Sequence, residues 1–393
     1  MSNGILTSRR SDAKAKLQAS RLASVWEAMR DDGYDALIVP GRGLLTQYGY
    51  LEYVVGFCPL VRLTYAVVVP GHQPIMVTPT SSDAWYTKMA TDLADVRVAG
   101  QGDVISTQDN LPAAVARVLA DYQVDRGKVG MVGLKHIVPV GDFDDFRAAL
   151  PDAQITDATS VVGRAKAVKF AEEQAEVLRS CAIADAGMQA FEARAAAGVT
   201  GWELWGDMQR AVRSRGAREV LIMVSNDPFF NAPPRDEPIQ DGDMVCVYTE
   251  ITGPNGFWVE KASLYEFGTT DDAKRRMAEL CLESHAAAAE KLVAGSTAAE
   301  VAGALEATVT GHDVEFGIWH GHGVGVDHDT PVITKTDSTE LVPGMVIAMH
   351  PNFTNHEQTV GASVSDTYII QESGRAVRGS QLDQRFTRIE RTV

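Results

Sequence analysis

The arrangement of apolar segments changes near Gly163, and this change divides the chain into two parts. Before it, leucines and valines at helical spacing predict a helix over residues 13–30, and a short apolar run over residues 36–39 predicts a buried strand that ends at Pro40. Residues 65–69 and 74–77 flank a Pro-Gly turn and predict a hairpin. Residues 1–163 are therefore expected to form an α/β domain with helices over a mixed sheet.

After Gly163 the pattern is dominated by longer helices. An Ala- and Glu-rich segment predicts a helix over residues 170–197, and further helices are expected at residues 202–215, 271–293 and 297–310. Apolar strands are predicted at residues 219–224, 244–249, 257–265, 345–349 and 363–371. Helices that alternate with antiparallel strands indicate an α+β domain over residues 164–393.

Composition excludes several classes of protein. Hydrophobic residues make up 45% of the 393-residue chain, no apolar run approaches the ~18 residues of a membrane span, and no secretory signal is evident. The net charge of −16 opposes binding to nucleic acid or to anionic membranes. Four dispersed cysteines without a CxxC pair suggest a reducing compartment. We therefore expect a soluble cytoplasmic enzyme of two domains.

Histidines concentrate in one region, because six of the nine lie between His312 and His356. In the densest stretch, residues 319–329, glycines alternate with His320, His322 and His328. The glycines disfavour a helix and let the backbone approach a ligand closely. Imidazoles at such a place can exchange protons near neutral pH or bind a metal. The alternative is a glycine-rich turn whose histidines only cap neighbouring strands.

Two other segments carry candidate chemistry. Residues 242–260 read as strand, turn and returning strand, which would bring Tyr248, Glu250 and Glu260 together if they form a hairpin. Burial would raise the pKa of these carboxyl groups into a range useful for acid–base catalysis. His350 ends an apolar strand directly before Pro351. The alternatives are edge-strand glutamates that face water and a histidine with a purely structural role.

The phrases DGDMVCV at 241–247, GHGVGVDH at 321–328 and PGMVIAMHP at 343–351 occur in an order and spacing that resemble a known family. This is the pita-bread family of creatinase, aminopeptidase P, prolidase and methionine aminopeptidase. The resemblance covers nearly the whole chain. It implies an N-terminal creatinase-like α/β domain followed by a C-terminal pita-bread catalytic domain.

The resemblance also implies where metal ligands would lie. Metallopeptidases of this family hold two divalent ions with two Asp, one His and two Glu. These positions fall in this chain at Tyr248, Glu260, His322, His350 and Ser365, so only the histidine is identical. A dinuclear site for hard cations needs several anionic oxygens, which Tyr and Ser do not supply. We therefore expect no ordinary dinuclear peptidase, and no cofactor.

Creatinase implies a metal-free alternative. Its catalytic imidazole falls at Asn231 here, and Phe229 nearby is expected to line the pocket. Arg62, shortly before a Tyr-Ala strand, is similar to the arginine with which creatinase binds its substrate carboxylate. In the family this arginine comes from the neighbouring subunit, which implies a homodimer with the active site near the interface.

The pita-bread lyase that splits dimethylsulfoniopropionate resembles the chain in spacing. Its paired acidic ligands match Tyr248 and Glu250, its next ligand matches Glu260, and its catalytic base falls at His328. The resemblance therefore leaves hydrolysis and elimination both open.

The leading hypothesis is an enzyme that cleaves a C–N or similar bond of a small polar, carboxylated molecule without a dinuclear metal. His322 or His328 would act as general base, and Glu250 and Glu260 would bind the substrate or act as acid, while His350 orients it or donates a proton. Tyr248 completes this group. One alternative is a single Fe, Mn or Zn ion held by His322, His350 and Glu260. The others are an Xaa-Pro metallopeptidase and an inactive binding module.

Overall fold

The computed structural model describes residues 12–43, 46–100, 110–226 and 232–392. The chain divides into two compact units between Lys166 and Ala167. In the described part of the chain, no helix combines the length and the apolar character needed to cross a bilayer.

The N-terminal unit is a mixed sheet covered by helices. Its helices are α1 (Asp12–Asp32), α2 (Gly49–Val55), α3 (Ser81–Ala90), α4 (Asn110–Asp121), α5 (Val140–Ala149) and α6 (Thr159–Ala167), the last ending at the boundary. Its strands are β1 (Ala36–Gly41), β2 (Thr64–Val68), β3 (Ile75–Thr78), β4 (Val96–Val98), β5 (Lys128–Met131) and β6 (Gln154–Asp157). They lie in the order β4-β3-β2-β1-β5-β6.

The α/β character predicted for this unit is confirmed. β2 and β3 form the predicted antiparallel hairpin, and Gly71 adopts a φ of 83° in its turn. The prediction that β1 ends at Pro40 is wrong, because Pro40 continues the pairing with Tyr65 of β2. On its other side β1 pairs with β5 only as far as Ile38. The missing N–H group of Pro40 therefore leaves no gap in the ladder between β1 and β5, because that ladder ends before Pro40.

The C-terminal unit contains longer helices and an antiparallel sheet. Its helices are α7 (Ala171–Arg194), α8 (Gly201–Arg213), α9 (Asp272–Ala289) and α10 (Ala298–Thr308). Its strands are β7 (Val220–Ser225), β8 (Met244–Thr252), β9 (Trp258–Phe267), β10 (Glu315–Phe316), β11 (Gly321–Val324), β12 (His328–Val332), β13 (Val346–Met349), β14 (Asn352–Thr354), β15 (Gly361–Ser363), β16 (Ser365–Ile369), β17 (Val377–Arg378) and β18 (Phe386–Ile389).

The large sheet has the order β12-β11-β13-β16-β9-β8-β7, and a small sheet has the order β10-β14-β15. α7 packs against β8 and β9, and α8 packs against β7. Every residue of β8, β9, β13 and β16 is buried. The α+β layout predicted for this half is confirmed, and its buried central strands are where the candidate site residues lie.

The glycine-rich segment forms strands rather than a turn. β11 pairs with β12 on one side and with β13 on the other. The glycines allow this close packing, since a Cβ atom at Gly323 would lie 2.4 Å from the Thr330 carbonyl oxygen. A Cβ atom at Gly321 would lie 2.4 Å from the Ala348 carbonyl oxygen. The small residues therefore hold His322 in the interior of the sheet.

Candidate active site

The β8–β9 hairpin brings three of the predicted residues together. Its register pairs Glu250 directly with Glu260 and places Tyr248 opposite Ala262. Residues at alternate positions of a strand share a face, so Tyr248, Glu250 and Glu260 point to the same side of the sheet. Gly256, with a φ of 83°, lies in the turn that joins the strands. Local alternation and a tight turn thus bring these side chains together.

Three neighbouring strands complete the group. His322 lies in β11 opposite Ala348 of β13, and the backbone N–H of His350, directly after β13, donates to the His320 carbonyl at 2.8 Å. Ser365 opens β16 and is paired with Ala262 of β9. His322, His350 and Ser365 therefore approach Glu260 from segments far apart in sequence.

The two carboxylate oxygens of Glu260 have different partners. Oε2 accepts hydrogen bonds from the Tyr248 hydroxyl and, at 3.2 Å, from the Ser365 hydroxyl. Oε1 lies 3.1 Å from Nε2 of His322 but makes no hydrogen bond of acceptable geometry. The Glu260 backbone N–H donates to Thr367 Oγ1 at 2.9 Å, which fixes the strand at this residue. Two hydroxyl groups therefore orient the carboxylate and aim Oε1 towards the histidines.

The tautomer of His322 follows from its backbone contact. Nδ1 lies 2.9 Å from the Gly323 carbonyl oxygen, which can only accept, so Nδ1 carries the hydrogen. In the neutral ring, Nε2 then presents a lone pair towards the Glu260 carboxylate. Two lone pairs at this separation repel each other unless a cation or a proton lies between them. This is the arrangement of a metal-ligating histidine oriented by a carbonyl group.

His350 is suited to the same role. It is 4% exposed, and its ring centroid lies 5.3 Å from that of His322. Burial lowers the pKa of His350 to about 4, although the negative charge of Glu260 opposes this shift. The ring is therefore neutral near pH 7 and can offer a lone pair to a metal ion.

Glu260 and Tyr248 remain in opposite protonation states. Burial tends to raise the pKa of Glu260, but His350, His322 and the Tyr248 hydroxyl outweigh it and hold the pKa well below its ordinary value. Burial and the charges of Glu260 and Glu250 raise the pKa of Tyr248 far above 10. The expectation that the pKa of Glu260 lies in the range useful for acid–base catalysis is therefore wrong, because the Tyr248 hydroxyl donates to the charged carboxylate and a protonated imidazole beside it favours that form.

His328 forms a second polar group beside the first. Its Nε2 lies 2.9 Å from Oε1 of Glu250, and its Nδ1 lies 3.5 Å from Oδ1 of Asp327. Burial lowers the pKa of His328, but hydrogen bonds and charges from Asp327 and Glu250 outweigh it and raise the pKa to about 10. The side chain is 32% exposed against 9% for Glu250, so the imidazolium is the more accessible member.

Two overlapping groups can hold a metal ion. The ligand atoms of Glu260, His322 and His350 lie within 4.8 Å of one another, and the same holds for Glu250, Glu260 and His328. The first group is the better fit, because its His322 lone pair and the Glu260 Oε1 atom face each other without a hydrogen bond. In the second group, the raised pKa of His328 keeps its ring protonated near pH 7, so the ring offers a metal no lone pair.

Three predicted substrate-binding residues are not seen in this group. Phe229 and Asn231 lie outside the described residues. Arg62 belongs to the N-terminal unit, where its Nη1 contacts Oδ1 of Asp83 at 3.3 Å. Glu250, the fourth predicted substrate-binding residue, lies beside Glu260 in the β8–β9 hairpin, as predicted.

Two further residues support the site. The position of Asp327 beside His328 indicates that it could tune the imidazole, but the favoured interpretation, a solvated loop aspartate, does not fit its burial. The hydroxyl of Ser365 supports Glu260, and no local pattern around Ser365 indicates this role.

Comparison with known proteins identifies the family. A profile of metallopeptidase family M24 matches residues 175–372, which is about half of the chain. The chain belongs to this family. A profile of the creatinase/prolidase N-terminal domain matches residues 21–168. The resemblance to the pita-bread family, and the fold that it implied, are thereby confirmed.

Relatives and solved structures of this M24 member carry peptidase names. An uncharacterized peptidase, YqhT of Bacillus subtilis, is 23% identical over 84% of the chain and 91% of its own length. An Xaa-Pro dipeptidase of Pyrococcus horikoshii is 20% identical over 74% of the chain and 82% of its own. The structure of dipeptidase PepE from Mycobacterium ulcerans has a TM-score of 0.80 at 22% identity, covering 97% and 100% of the two chains.

The expectation of a site without a cofactor is wrong. The family is one of metallopeptidases, and Glu260, His322 and His350 offer converging ligand atoms. The expectation considered only acidic residues at the family's ligand positions as possible metal ligands. Imidazole at position 350 is itself a metal ligand, so replacement of a glutamate by His350 changes the type of donor without removing it.

Proposed function

We propose that this M24 member is a metal-dependent hydrolase that cleaves a C–N bond of a small polar molecule. The divalent ion would be held by Glu260, His322 and His350. The observation that supports this proposal is the 3.1 Å approach of Nε2 of His322 to Oε1 of Glu260, with Nδ1 of the same ring held at the Gly323 carbonyl. A cation between these atoms removes their repulsion, and His350 supplies a third, neutral donor.

Charge supports one divalent ion. Glu250, Glu260 and Asp327 are buried carboxylates, and the His328 imidazolium compensates one of their three negative charges. Buried charges without compensation are strongly unfavourable. One divalent ion with neutral His322 and His350 leaves the site without net charge. Two imidazoles and one carboxylate suit Fe(II), Mn(II) or Zn(II).

When bound, the ion supplies Lewis acidity at the reacting carbon. The chain's own residues would move the protons. In hydrolysis, a water oxygen bonds to the carbon, the C–N bond breaks and the nitrogen leaves with a proton. Glu250 would accept the proton of the water, and the His328 imidazolium would donate one to the nitrogen. Their 2.9 Å contact lets a proton pass between them afterwards and restores the pair.

Metal content tests this proposal. Protein purified without added metal is analysed for bound ions, and unfolding temperatures are measured with and without Mn²⁺ or Zn²⁺. We expect stoichiometric metal and a higher unfolding temperature with the ion, both lost in His350→Ala. His356→Ala is the matched control, since His356 is an exposed histidine paired with Asp313. A wild-type chain that binds no divalent ion and is not stabilised by any would refute the proposal.

A second candidate is an Xaa-Pro dipeptidase, favoured by the names of the proteins to which the chain is similar. Release of proline from Ala-Pro by the metal-loaded protein tests it. Absence of proline release, with turnover of another C–N substrate, would favour the first proposal. The homodimer implied by the resemblance remains a prediction, which sedimentation of the full chain tests.

A further inference from the structure

A cavity of about 550 Å³ lies on the face of the large sheet opposite Glu260. It is lined by residues of α9 and by Tyr368 of β16, Arg378 of β17 and residues 383–385. Tyr368 and Asp366 are alternate residues of β16 and therefore share this face. We infer that this cavity is a second small-molecule site, separate from the metal-binding group, and that it takes a small hydroxycarboxylate. The inference does not depend on the proposed metal.

Two buried polar atoms at the cavity lack a hydrogen-bond partner among the described residues. His285 of α9 lines the cavity and is 4% exposed, and its Nε2 makes no hydrogen bond. Oδ2 of Asp366 makes none either and lies 3.8 Å from that nitrogen, which is too far for a direct hydrogen bond. Buried polar atoms without partners are costly. A ligand hydroxyl group could donate to Asp366 and accept from the Nε2–H tautomer of His285.

The charges around the cavity leave one cation over. Each carboxylate is paired with a cation, in the pairs Asp366–Lys261, Asp383–Arg378 and Glu290–Arg375. Arg385 lines the cavity and donates from Nε to Oγ1 of Thr387 at 3.2 Å, and within the described ranges no carboxylate pairs with it. Its terminal N–H groups can therefore bind a carboxylate. In a chain with a net charge of −16, such a concave site favours one small anion.

These features together specify the class of ligand. The carboxylate would lie at Arg385 and the hydroxyl group between His285 and Asp366. Apolar side chains also line the cavity, those of Leu282, Ala286 and Ala289, and they suit a short aliphatic chain between the two polar groups. An amine is disfavoured, because it would add a positive charge beside Arg385 and Lys261.

Binding of 3-hydroxybutyrate to the full chain tests the inference. Its affinity is measured by ligand-observed NMR titration, in parallel with butyrate, which lacks the hydroxyl group, and with 3-hydroxybutyramide, which lacks the charge. We expect 3-hydroxybutyrate to bind, and each analogue to bind about tenfold more weakly or less, since each loses hydrogen bonds to a charged or buried partner. Absence of binding by 3-hydroxybutyrate, or equal binding of the three compounds, would overturn the inference.

Variants of the chain locate the bound molecule. Arg385→Gln removes the guanidinium group, and Ala286→Trp fills the cavity from an exposed position of α9. Both should weaken binding of 3-hydroxybutyrate about tenfold or more. Arg276→Gln changes an exposed arginine of α9 that does not line the cavity, and it should leave the affinity unchanged.

His350→Ala separates this site from the metal-binding group. It should leave the affinity for 3-hydroxybutyrate unchanged, because His350 does not line the cavity. Binding that is lost in His350→Ala but kept in Arg385→Gln would place the molecule at the metal-binding group and overturn the inference. That result would leave the proposed metal dependence intact, which metal analysis tests independently.

Discussion

Lys261 and Asp366 form a buried ion pair of 2.9 Å on the face of the central sheet opposite Glu260 and Ser365. Each residue directly follows a site residue in its strand, and the alternation of strands turns the two pairs to opposite faces. Both side chains are at most 1% exposed. The pairing of β9 with β16 therefore supports the site from behind.

Lys261→Met should destabilise the protein by about 3–5 kcal/mol, because it leaves Asp366 buried without its cation. Urea unfolding at pH 7 measures the change. Arg276→Met is a control in which an exposed arginine loses its contacts with Glu279 and Glu283, and it should cost less than about 1 kcal/mol. Similar values for the two variants would contradict the importance assigned to the buried pair.

The pH dependence of stability should report the Asp366 carboxyl group. Burial raises its pKa to about 6 despite Lys261, whereas the unfolded chain has a value of about 3.9. At pH values between these two pKa values, the folded chain binds a proton that the unfolded chain does not. The contribution of Asp366 to the free energy of unfolding is therefore full below about pH 4 and is lost as the pH rises through about 6.

Asp366→Asn removes that titration. Relative to this variant, the wild-type protein should lose about 2–3 kcal/mol of stability between pH 4 and pH 7. Chemical unfolding of both proteins at several pH values measures the difference between their free energies of unfolding. The contributions of the other titrating groups cancel in this difference. A difference that is independent of pH, or that grows with pH, would contradict the raised pKa.

Tyr248→Phe should weaken metal binding about 10–100-fold, because the Glu260 carboxylate loses a donor that orients it. Calorimetric titration with Mn²⁺ measures the affinity. Tyr265→Phe is a matched control, since Tyr265 is also buried and donates to a carboxylate, that of Glu192 at 3.0 Å, outside the metal-binding group. Equal affinities for the wild type and Tyr248→Phe would show that this hydroxyl does not position Glu260.

His328→Ala and Glu250→Gln should each lower kcat by about 10²–10⁴-fold, the usual contribution of a positioned acid or base. Metal content should be unchanged, because neither residue is assigned as a ligand. Steady-state kinetics on a turned-over substrate and elemental analysis of the same samples measure both quantities. Loss of the ion in either variant would instead identify that residue as a ligand.

Much of this arrangement could be predicted from local sequence. The strand, turn and returning strand over residues 242–260 predict that Tyr248, Glu250 and Glu260 meet if they form a hairpin, and the β8–β9 hairpin is observed. The motif around His322 indicates the family, which the comparisons confirm. Glycines at residues 321 and 323 predict a close backbone approach, but the sequence does not reveal that they lie in a strand paired with distant segments.

The number and identity of donors to Glu260 depended on contacts that sequence spacing does not reveal. Ser365 is 105 residues from Glu260, and their contact exists because β16 pairs with β9 within the large sheet. Likewise, the partner of His328 is Glu250, from a strand that does not pair with β12. The sequence by itself determined the elements, the face of each strand and the chemical types available, because these follow from short-range periodicity. Only the tertiary structure decided which atoms face each other, because register and distance between remote strands depend on how the whole sheet packs.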